Sequence, residues 1–207
     1  MLYVPSVIEQ TARGERAWDL FSRLLQSRII FIGSEISDLV ASLVMGQLLY
    51  LQSEDSEKHI EVYINSAGGE VPAGLAIYDT MQLIRPEIHT FCVGKAFSMA
   101  AILLAGGAKG QRFALPNARV MIHQPLGGTY GPVTDVDIFT REMVRTRDRI
   151  NEILAHHTGK PVEAIKVDTE RDYWLTAEEA KDYGIVDEVL ALPPGKAPVG
   201  PAEEKRG

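Results

Sequence analysis

Two apolar, strand-like runs of this chain each stop at a polar residue able to do chemistry. Ser98 follows the run 91–97 and precedes the helix-forming run 99–105. His123 follows the run 118–122 and precedes a proline and two glycines within five residues. Polar residues at such stops are typical of side chains presented at the ends of strands. A serine hydroxyl and an imidazole presented in this way could act as a nucleophile and its general base.

An acidic side chain must complete such a pair. A serine hydroxyl is a poor nucleophile at neutral pH, so a third group has to orient the histidine and stabilise its positive charge as it takes the proton. Two candidates, Glu170 and Asp172, lie downstream of the histidine. They precede a Thr-x-x-Glu capping box, Thr176 to Glu179, which predicts the start of a helix and fixes the preceding turn. We choose Asp172 over Glu170.

These residues and their spacing resemble the ClpP family of ATP-dependent serine peptidases. The similarity runs from about Val4 to Leu190, nearly the whole chain. It implies that Ser98 is the nucleophile, His123 the general base and Asp172 the orienting acid. The motifs that carry it occur in matching order at 63–71, 94–100, 121–125, 170–172, 177–180 and 183–187.

Two departures from the usual family pattern are visible. Ala67 stands where the family usually has proline, and Lys95-Ala96-Phe97 stands where it usually has Gln-Ala-Ala. Neither departure changes a residue of the triad. Both concern the shape of the pocket near the serine, and therefore the cleavage preference.

The Gly68-Gly69 turn resembles the oxyanion loop of the same family. Glycine turns after a strand usually serve only to adopt a positive φ. The resemblance implies a further role, in which the backbone N–H groups of Gly69 and Met99 stabilise the oxyanion. Such donors are typically worth ~10²–10³ in turnover. A peptide could bind beside this loop as an added strand. The residues expected to hold it are Gly68, Glu70, Val71, Pro125, Leu126 and Gly127.

Composition limits the classes of protein that this chain can represent. Its 207 residues, 45% hydrophobic and 24% charged, are enough for one domain with a core. A net charge of −7 argues against a nucleic-acid-binding surface, which would be basic. The single cysteine, Cys92, offers no disulfide framework.

No run approaches the ~18 apolar residues of a membrane span, and Met1 to Gln10 lacks the features of a targeting segment. We therefore expect no membrane association and a cytoplasmic location.

No metal or organic cofactor is expected. His156 and His157 are adjacent near a helix end, so they point in different directions and cannot form the i, i+4 pair that a metal would need. Gly106-Gly107 is not followed by the Lys-Ser/Thr of a phosphate-binding loop. ATP would therefore be hydrolysed by a separate protein.

Strands and helices alternate along the chain, which predicts right-handed crossovers and a largely parallel sheet in an α/β fold. Strands are predicted at 28–33, 60–65 and 184–189, and in the runs that end at Gly94 and His123. Helices are predicted from Ser37 to about Gln52 and from Pro72 to Ile84. The resemblance implies a ClpP/crotonase-like superhelix of repeated ββα units in a single domain.

The ends of the chain differ from its middle. Residues 191–207 are rich in proline and glycine and are predicted to form a disordered tail. The resemblance implies that residues 1–16 form an axial loop that contacts a partner ATPase of the Clp-family AAA+ unfoldases. Residues 17–190 then form the peptidase domain.

A long helix is predicted at about 132–157. Its apolar residues, among them Phe139 and Met143, repeat at helical spacing. The helix could lie on its own domain. Alternatively, the resemblance implies a protruding handle that joins two heptameric rings into a tetradecamer. Phe139 and Met143 would then be oligomer contacts, and we hypothesise that Glu170 and Arg171 pair across the same junction.

The sequence thus predicts a serine endopeptidase subunit that cuts unfolded proteins inside a double ring. Two other classes stay open. A crotonase-type acyl-CoA enzyme would share the superhelix but would need a catalytic carboxylate and no serine–histidine pair. A non-catalytic ring subunit would be expected to have lost a member of the triad.

Overall fold

The computed structural model describes residues 4–11 and 14–191. Nearly all of the predicted tail and parts of the predicted axial loop lie outside the described residues. The predicted domain bounds therefore stay predictions.

Strands and helices alternate through most of the described chain, as predicted. Its strands are β1 (Ser6–Thr11), β2 (Gly14–Asp19), β3 (Ile29–Ile32), β4 (Ile60–Ser66), β5 (Ile88–Phe97), β6 (Arg112–Ala114), β7 (Arg119–Ile122), β8 (Tyr173–Thr176) and β9 (Glu188–Val189). Its helices are α1 (Leu20–Gln26), α2 (Asp38–Glu54), α3 (Val71–Leu83), α4 (Met99–Ala105), α5 (Val133–Thr158), α6 (Val162–Asp168) and α7 (Ala177–Tyr183).

Seven strands form one sheet in the order β3-β4-β5-β6-β9, with β7 beside β5 and β8 beside β7. The first half of β5 pairs with β6 and its second half with β7. Every pairing is parallel except β7 with β8. The mixed α/β, single-domain fold predicted from the sequence is confirmed, and it agrees with the fold expected of the ClpP family.

Helix α4 lies at the centre of the core. Its sequence, Met-Ala-Ala-Ile-Leu-Leu-Ala, has no polar side chain, and all seven residues are buried. A helix that is apolar all round has to be covered on every side. Ser98, the residue that precedes this helix, is therefore attached to a helix that is buried along its whole length.

The N-terminal segment forms a hairpin of its own. Strands β1 and β2 pair antiparallel with each other and with no other described strand. The backbone N–H of Leu20 donates to the carbonyl of Pro5, which closes the base of the hairpin. The described part of the predicted axial loop is thus an antiparallel ribbon.

Helix α5 has a long exposed part followed by a shorter buried part. Its bounds are within one residue of the predicted 132–157. Residues up to Arg149 are exposed or half-buried, whereas Ile150, Asn151, Ile153 and Leu154 are buried. The first two-thirds of the helix therefore project from the domain, and its last turns are part of the core.

Two predicted strands differ from the observed ones. The strand predicted to end at Gly94 continues to Phe97. Gly94 has a positive φ of 95°, and the residues after it pair with β7, whereas those before it pair with β6. The strand predicted at 184–189 is limited to β9. Gly184 is the left-handed cap of α7, and the N–H groups of Ile185 and Val186 donate back to the carbonyl of Ala180.

Among the residues that the structure describes, no helix combines the length and the apolar character needed to cross a membrane.

Candidate active site

Ser98 stands on a sharp turn between β5 and α4. Its φ of 54° and ψ of −124° lie outside the helical and strand regions, and a positive φ is uncommon for a residue other than glycine. The backbone N–H of Ser98 donates to the carbonyl of Met121 over 2.8 Å, so the end of β7 holds the turn in place. Strained strand-to-helix turns of this kind expose a serine hydroxyl at the edge of a sheet.

His123 follows directly after β7 and contacts both other members of the predicted triad. Its Nε2 atom lies 2.9 Å from the Ser98 Oγ atom, and its Nδ1 atom lies 3.0 Å from an Asp172 carboxylate oxygen. Both distances are those of hydrogen bonds. The His123 side chain is largely buried, whereas more than half of the Asp172 side chain is exposed. The structure therefore brings together the three residues chosen from the sequence.

The segment that carries Asp172 is a bulge opposite His123. Ile122 pairs with Tyr173 in the antiparallel β7–β8 register. On the other side of His123, the backbone N–H of Gln124 donates to the carbonyl of Thr169 over 2.7 Å. Residues 170–172 lie between these two paired positions, opposite the single residue His123. The bulge is held further by the Gln124 side chain, whose amide donates to the Glu170 carbonyl over 2.9 Å.

Gly68 packs directly against the turn of Ser98. A Cβ atom on Gly68 would lie 2.6 Å from the Phe97 carbonyl oxygen and 2.8 Å from the Ser98 Cβ atom, and the φ of Gly68 is +92°. Only glycine allows this approach without strain.

Gly69 presents its peptide groups on the free edge of the same loop. The Gly68 carbonyl accepts from the N–H of Ile36, and the Glu70 N–H donates to the carbonyl of Ile36. The partners of an extended segment alternate between its two edges. The N–H of Gly69 therefore points away from Ile36, toward the side on which a substrate could bind.

An apolar pocket opens beside the serine. It is narrow, with a volume of about 10 Å³. Five residues predicted to be catalytic, oxyanion-binding or substrate-binding line it: Ser98, His123, Met99, Val71 and Pro125. The remaining lining residues are Ile102, Ile122 and Ile150. Apart from the serine and the histidine, the lining offers only apolar side chains, which favour an apolar substrate group.

The other predicted substrate-binding residues lie around this pocket. Leu126 is almost fully exposed, and Glu70 is exposed just before α3. Gly127 packs against α5, where a Cβ atom would lie 3.0 Å from Met143 and 3.7 Å from Phe139. Phe139 and Met143, which we predicted to be oligomer contacts, therefore cover a loop of their own chain. Their contact with another subunit stays a prediction.

Lys95 and Phe97 lie outside the pocket. The Phe97 ring packs edge-on against Trp174, with 4.9 Å between the ring centroids, and the Lys95 ammonium lies 5.9 Å from the Phe97 ring. Both side chains are on the face of the sheet opposite Ala96, which is fully buried. The two substitutions relative to the usual family pattern therefore do not line the pocket beside the serine.

Glu170 and Arg171 belong to the bulge, and both are exposed. No salt bridge of either side chain occurs within residues 4–11 and 14–191. Their pairing across a ring junction stays a prediction. In the same part of the chain, no three His, Cys, Asp or Glu side chains are arranged to hold a metal ion.

Sequence reasoning missed a buried polar pair behind the bulge, formed by Asn151 and Thr169. Each side chain is 1% exposed. The signal for Asn151 was present, because it interrupts the apolar positions Ile150, Ile153 and Leu154 on the buried side of α5. Thr169 gave no such signal, because its partner Asn151 lies 18 residues earlier in the sequence.

Comparison with known protein families identifies the family of the chain. The family model described as Clp protease matches residues 12–192 of the chain. This span covers most of the 207 residues and includes every residue of the candidate site. The chain belongs to the Clp protease family. Membership supports a peptidase of the ClpP type, which is a hydrolase.

Proposed function

We propose that this chain is a serine endopeptidase in which Ser98, His123 and Asp172 form the catalytic triad. The observation that carries the proposal is the pair of contacts made by one imidazole, 2.9 Å to the serine hydroxyl and 3.0 Å to the carboxylate. In this arrangement the ring can accept the serine proton through Nε2 while Nδ1–H donates to Asp172.

The reaction follows from these contacts in two steps. The Ser98 Oγ atom attacks the peptide carbonyl carbon as His123 takes its proton, and His123 returns that proton to the leaving amine when the C–N bond breaks. Water then attacks the acyl-enzyme ester, with His123 again as the base, and the serine regains its proton. The N–H groups of Gly69 and Met99 stabilise the oxyanion in both steps.

Labelling with a fluorophosphonate probe tests the nucleophile. The probe should modify Ser98, and Ser98→Ala should abolish both labelling and peptidase activity while leaving the fold and assembly intact. His123→Ala should lose nearly as much, because the members of a triad act as a unit. Labelling of another serine, or activity in Ser98→Ala, would overturn the assignment.

We further propose that the chain works as a double heptameric ring fed by a separate Clp-family AAA+ unfoldase. Family membership supports ring assembly with Clp ATPases in general. The substrates would be unfolded polypeptides that enter the chamber and leave as short peptides. Because the pocket is apolar and the loop offers main-chain groups, recognition would depend on the peptide backbone and an apolar side chain.

A comparison of small and large substrates tests whether the active sites are enclosed in a chamber. The purified protein should cut short peptides and leave a stable folded protein intact, because access rather than chemistry limits the reaction. A cognate Clp ATPase with ATP should permit degradation of a tagged folded substrate, and a non-hydrolysable analogue should not. Rapid digestion of the folded protein by this chain alone would show that the sites are not enclosed.

A further inference from the structure

We propose that Asn151 and Thr169 form a buried positioning pair that sets the distance between His123 and Asp172. This inference rests on the proposed function, since it names residues that support the same triad without touching the substrate. Its observations are separate from those that define the triad: two buried polar side chains, their hydrogen bonds, and one unsatisfied amide.

Thr169 is connected to three elements at once. Its hydroxyl has one proton, which is shared between the Ile165 carbonyl oxygen in α6, 2.8 Å away, and the Asn151 Oδ1 atom in α5, 3.1 Å away. Its backbone carbonyl accepts from the N–H of Gln124, the residue that follows His123. Thr169 is also three residues before Asp172. A shift of Thr169 would therefore move both partners of the His123–Asp172 hydrogen bond.

Asn151 is placed where an apolar residue would serve packing better. Its side chain is fully enclosed, and its Nδ2 atom has no hydrogen-bond partner within the described residues. Leaving a buried donor unsatisfied typically costs about 1–3 kcal/mol. Buried unsatisfied groups in native proteins call for an explanation, and one explanation is a functional role. The contact with Thr169 is the hydrogen bond that the side chain does make.

The chain topology makes this pair a connection between α5 and the catalytic bulge. Ile150, the neighbour of Asn151, lines the apolar pocket beside Ser98. Asn151 reaches Thr169, and Thr169 holds Gln124. The last turns of α5 thus form one wall of the pocket. Through the Asn151 amide they also hold Thr169, the residue before the bulge that carries Asp172. Loss of the Asn151–Thr169 hydrogen bond should leave this wall of the pocket in place.

Asn151→Leu separates positioning from packing. Leucine has a similar shape, removes the hydrogen bond and removes the unsatisfied donor, and the Thr169 hydroxyl keeps Ile165 as its acceptor. We expect the thermal midpoint of unfolding to stay equal or rise. The kcat for a short peptide should fall by ~10- to 10²-fold, because small misplacements of catalytic groups have effects of this size. KM should change less than about twofold, since the pocket residues are untouched.

A second pair of variants keeps the test informative if Asn151→Leu does not fold. Thr169→Val removes the hydroxyl and keeps the shape, whereas Thr169→Ser keeps the hydroxyl. We expect Thr169→Val to lose kcat and Thr169→Ser to retain most of it. Thr80→Val is the matched control, because the Thr80 hydroxyl also bonds a carbonyl four residues earlier but lies on α3. It should retain full kcat.

The outcomes distinguish this inference from the proposed function. If the native chain cleaves peptides through Ser98 but Asn151→Leu keeps its kcat, or Thr169→Val equals Thr169→Ser, the positioning role is wrong and the triad stands. A loss of kcat in Asn151→Leu that is matched by loss of stability or of assembly would also overturn positioning in favour of packing. If the native chain shows no Ser98-dependent cleavage, the proposed function itself fails.

Discussion

Arg112 and Asp187 form a two-point ion pair in the interior of the domain. The Arg112 Nη2 and Nε atoms lie 2.6 and 2.8 Å from the two Asp187 carboxylate oxygens, and the side chains are 5% and 20% exposed. The guanidinium also donates to the carbonyl oxygens of Ala105 and His157, at the ends of α4 and α5. One buried cation thus joins β6, the start of β9 and two helix ends.

Asp187→Asn should destabilise the fold strongly, because it leaves the guanidinium of Arg112 enclosed without its counter-charge. Breaking a buried pair by removing one partner typically costs about 3–5 kcal/mol. The measurement is the free energy of unfolding in urea at a fixed protein concentration. Glu163→Gln is the control, because its exposed pair with Lys166 should contribute less than about 1 kcal/mol. Equal effects of the two changes would contradict this role for Asp187.

His157 should make the stability of the fold depend on pH. Burial, and then the nearby charges of His156 and Arg112, lower the pKa of His157 from 6.5 to about 4. Its Nε2 atom lies 2.8 Å from the Tyr78 hydroxyl, which can donate to the neutral ring. The unfolded chain takes up a proton near pH 6.5, whereas the folded chain does so only near pH 4. The contribution is therefore complete above pH 6.5 and is lost as the pH falls toward 4.

Thermal unfolding between pH 7.5 and 4 measures this contribution. His157→Gln should flatten the decline of the unfolding midpoint within the window from 6.5 to 4. His156→Gln is the comparison variant, because His156 is exposed on the same helix. It should keep most of the native decline, since it removes only the His156 charge and leaves the burial of His157, the larger cause of the lowered pKa, unchanged. Asp187 does not account for the same window. Burial raises the pKa of its carboxyl, but the hydrogen bonds and charge of Arg112 outweigh burial and lower it below its usual 3.8.

Gly68→Ala should reduce turnover without unfolding the protein. The added Cβ would have to displace the Phe97 carbonyl or the Ser98 side chain, and either movement shifts the nucleophile. We expect kcat to fall by ~10²-fold, the size of effect seen for small misplacements of catalytic groups. Steady-state hydrolysis of a short peptide measures it.

Two other glycines serve as comparisons for the close contact and the positive φ of Gly68. Gly110 has a similar φ of +86° but no atom within 4 Å of an added Cβ, so Gly110→Ala tests backbone strain alone. Gly46 lies inside α2 with open space around it, and Gly46→Ala should raise stability by roughly 0.5–1 kcal/mol through helix propensity. If Gly110→Ala lost as much turnover as Gly68→Ala, close contact with Ser98 would not be the reason.

The three residues of the proposed triad could be chosen from the sequence because each follows a local pattern. Ser98 and His123 end apolar runs, and Asp172 precedes the Thr176–Glu179 capping box, which the structure confirms. The β7–β8 pairing could not be predicted in the same way, because the position of the short strand β8 depends on β7, which lies about fifty residues earlier in the sequence. The Asn151–Thr169 contact likewise depends on the packing of α5 against α6. Local patterns predict which residue ends an element, whereas contacts between distant elements depend on the assembled fold.

The projecting part of α5 provides the last prediction, which concerns assembly. Ile138 and Val144 are 57% and 41% exposed on this helix, although both are large apolar residues. Phe139 and Met143, in contrast, cover Gly127 of their own chain. If the helix joins two rings, Ile138→Asp or Val144→Asp would place an unpaired charge in the contact, which is unfavourable by several kcal/mol.

We expect each of these two variants to sediment as a single ring with its fold intact. Thr140→Asp is the matched control, because it adds the same charge to the same exposed segment without removing an apolar side chain. It should weaken assembly less. Replacement of Phe139 and Met143 by aspartate should in addition raise KM for a short peptide, because it disturbs the loop at Gly127. If Ile138→Asp and Val144→Asp both leave the double ring unchanged in sedimentation and activity, this part of α5 does not join the rings.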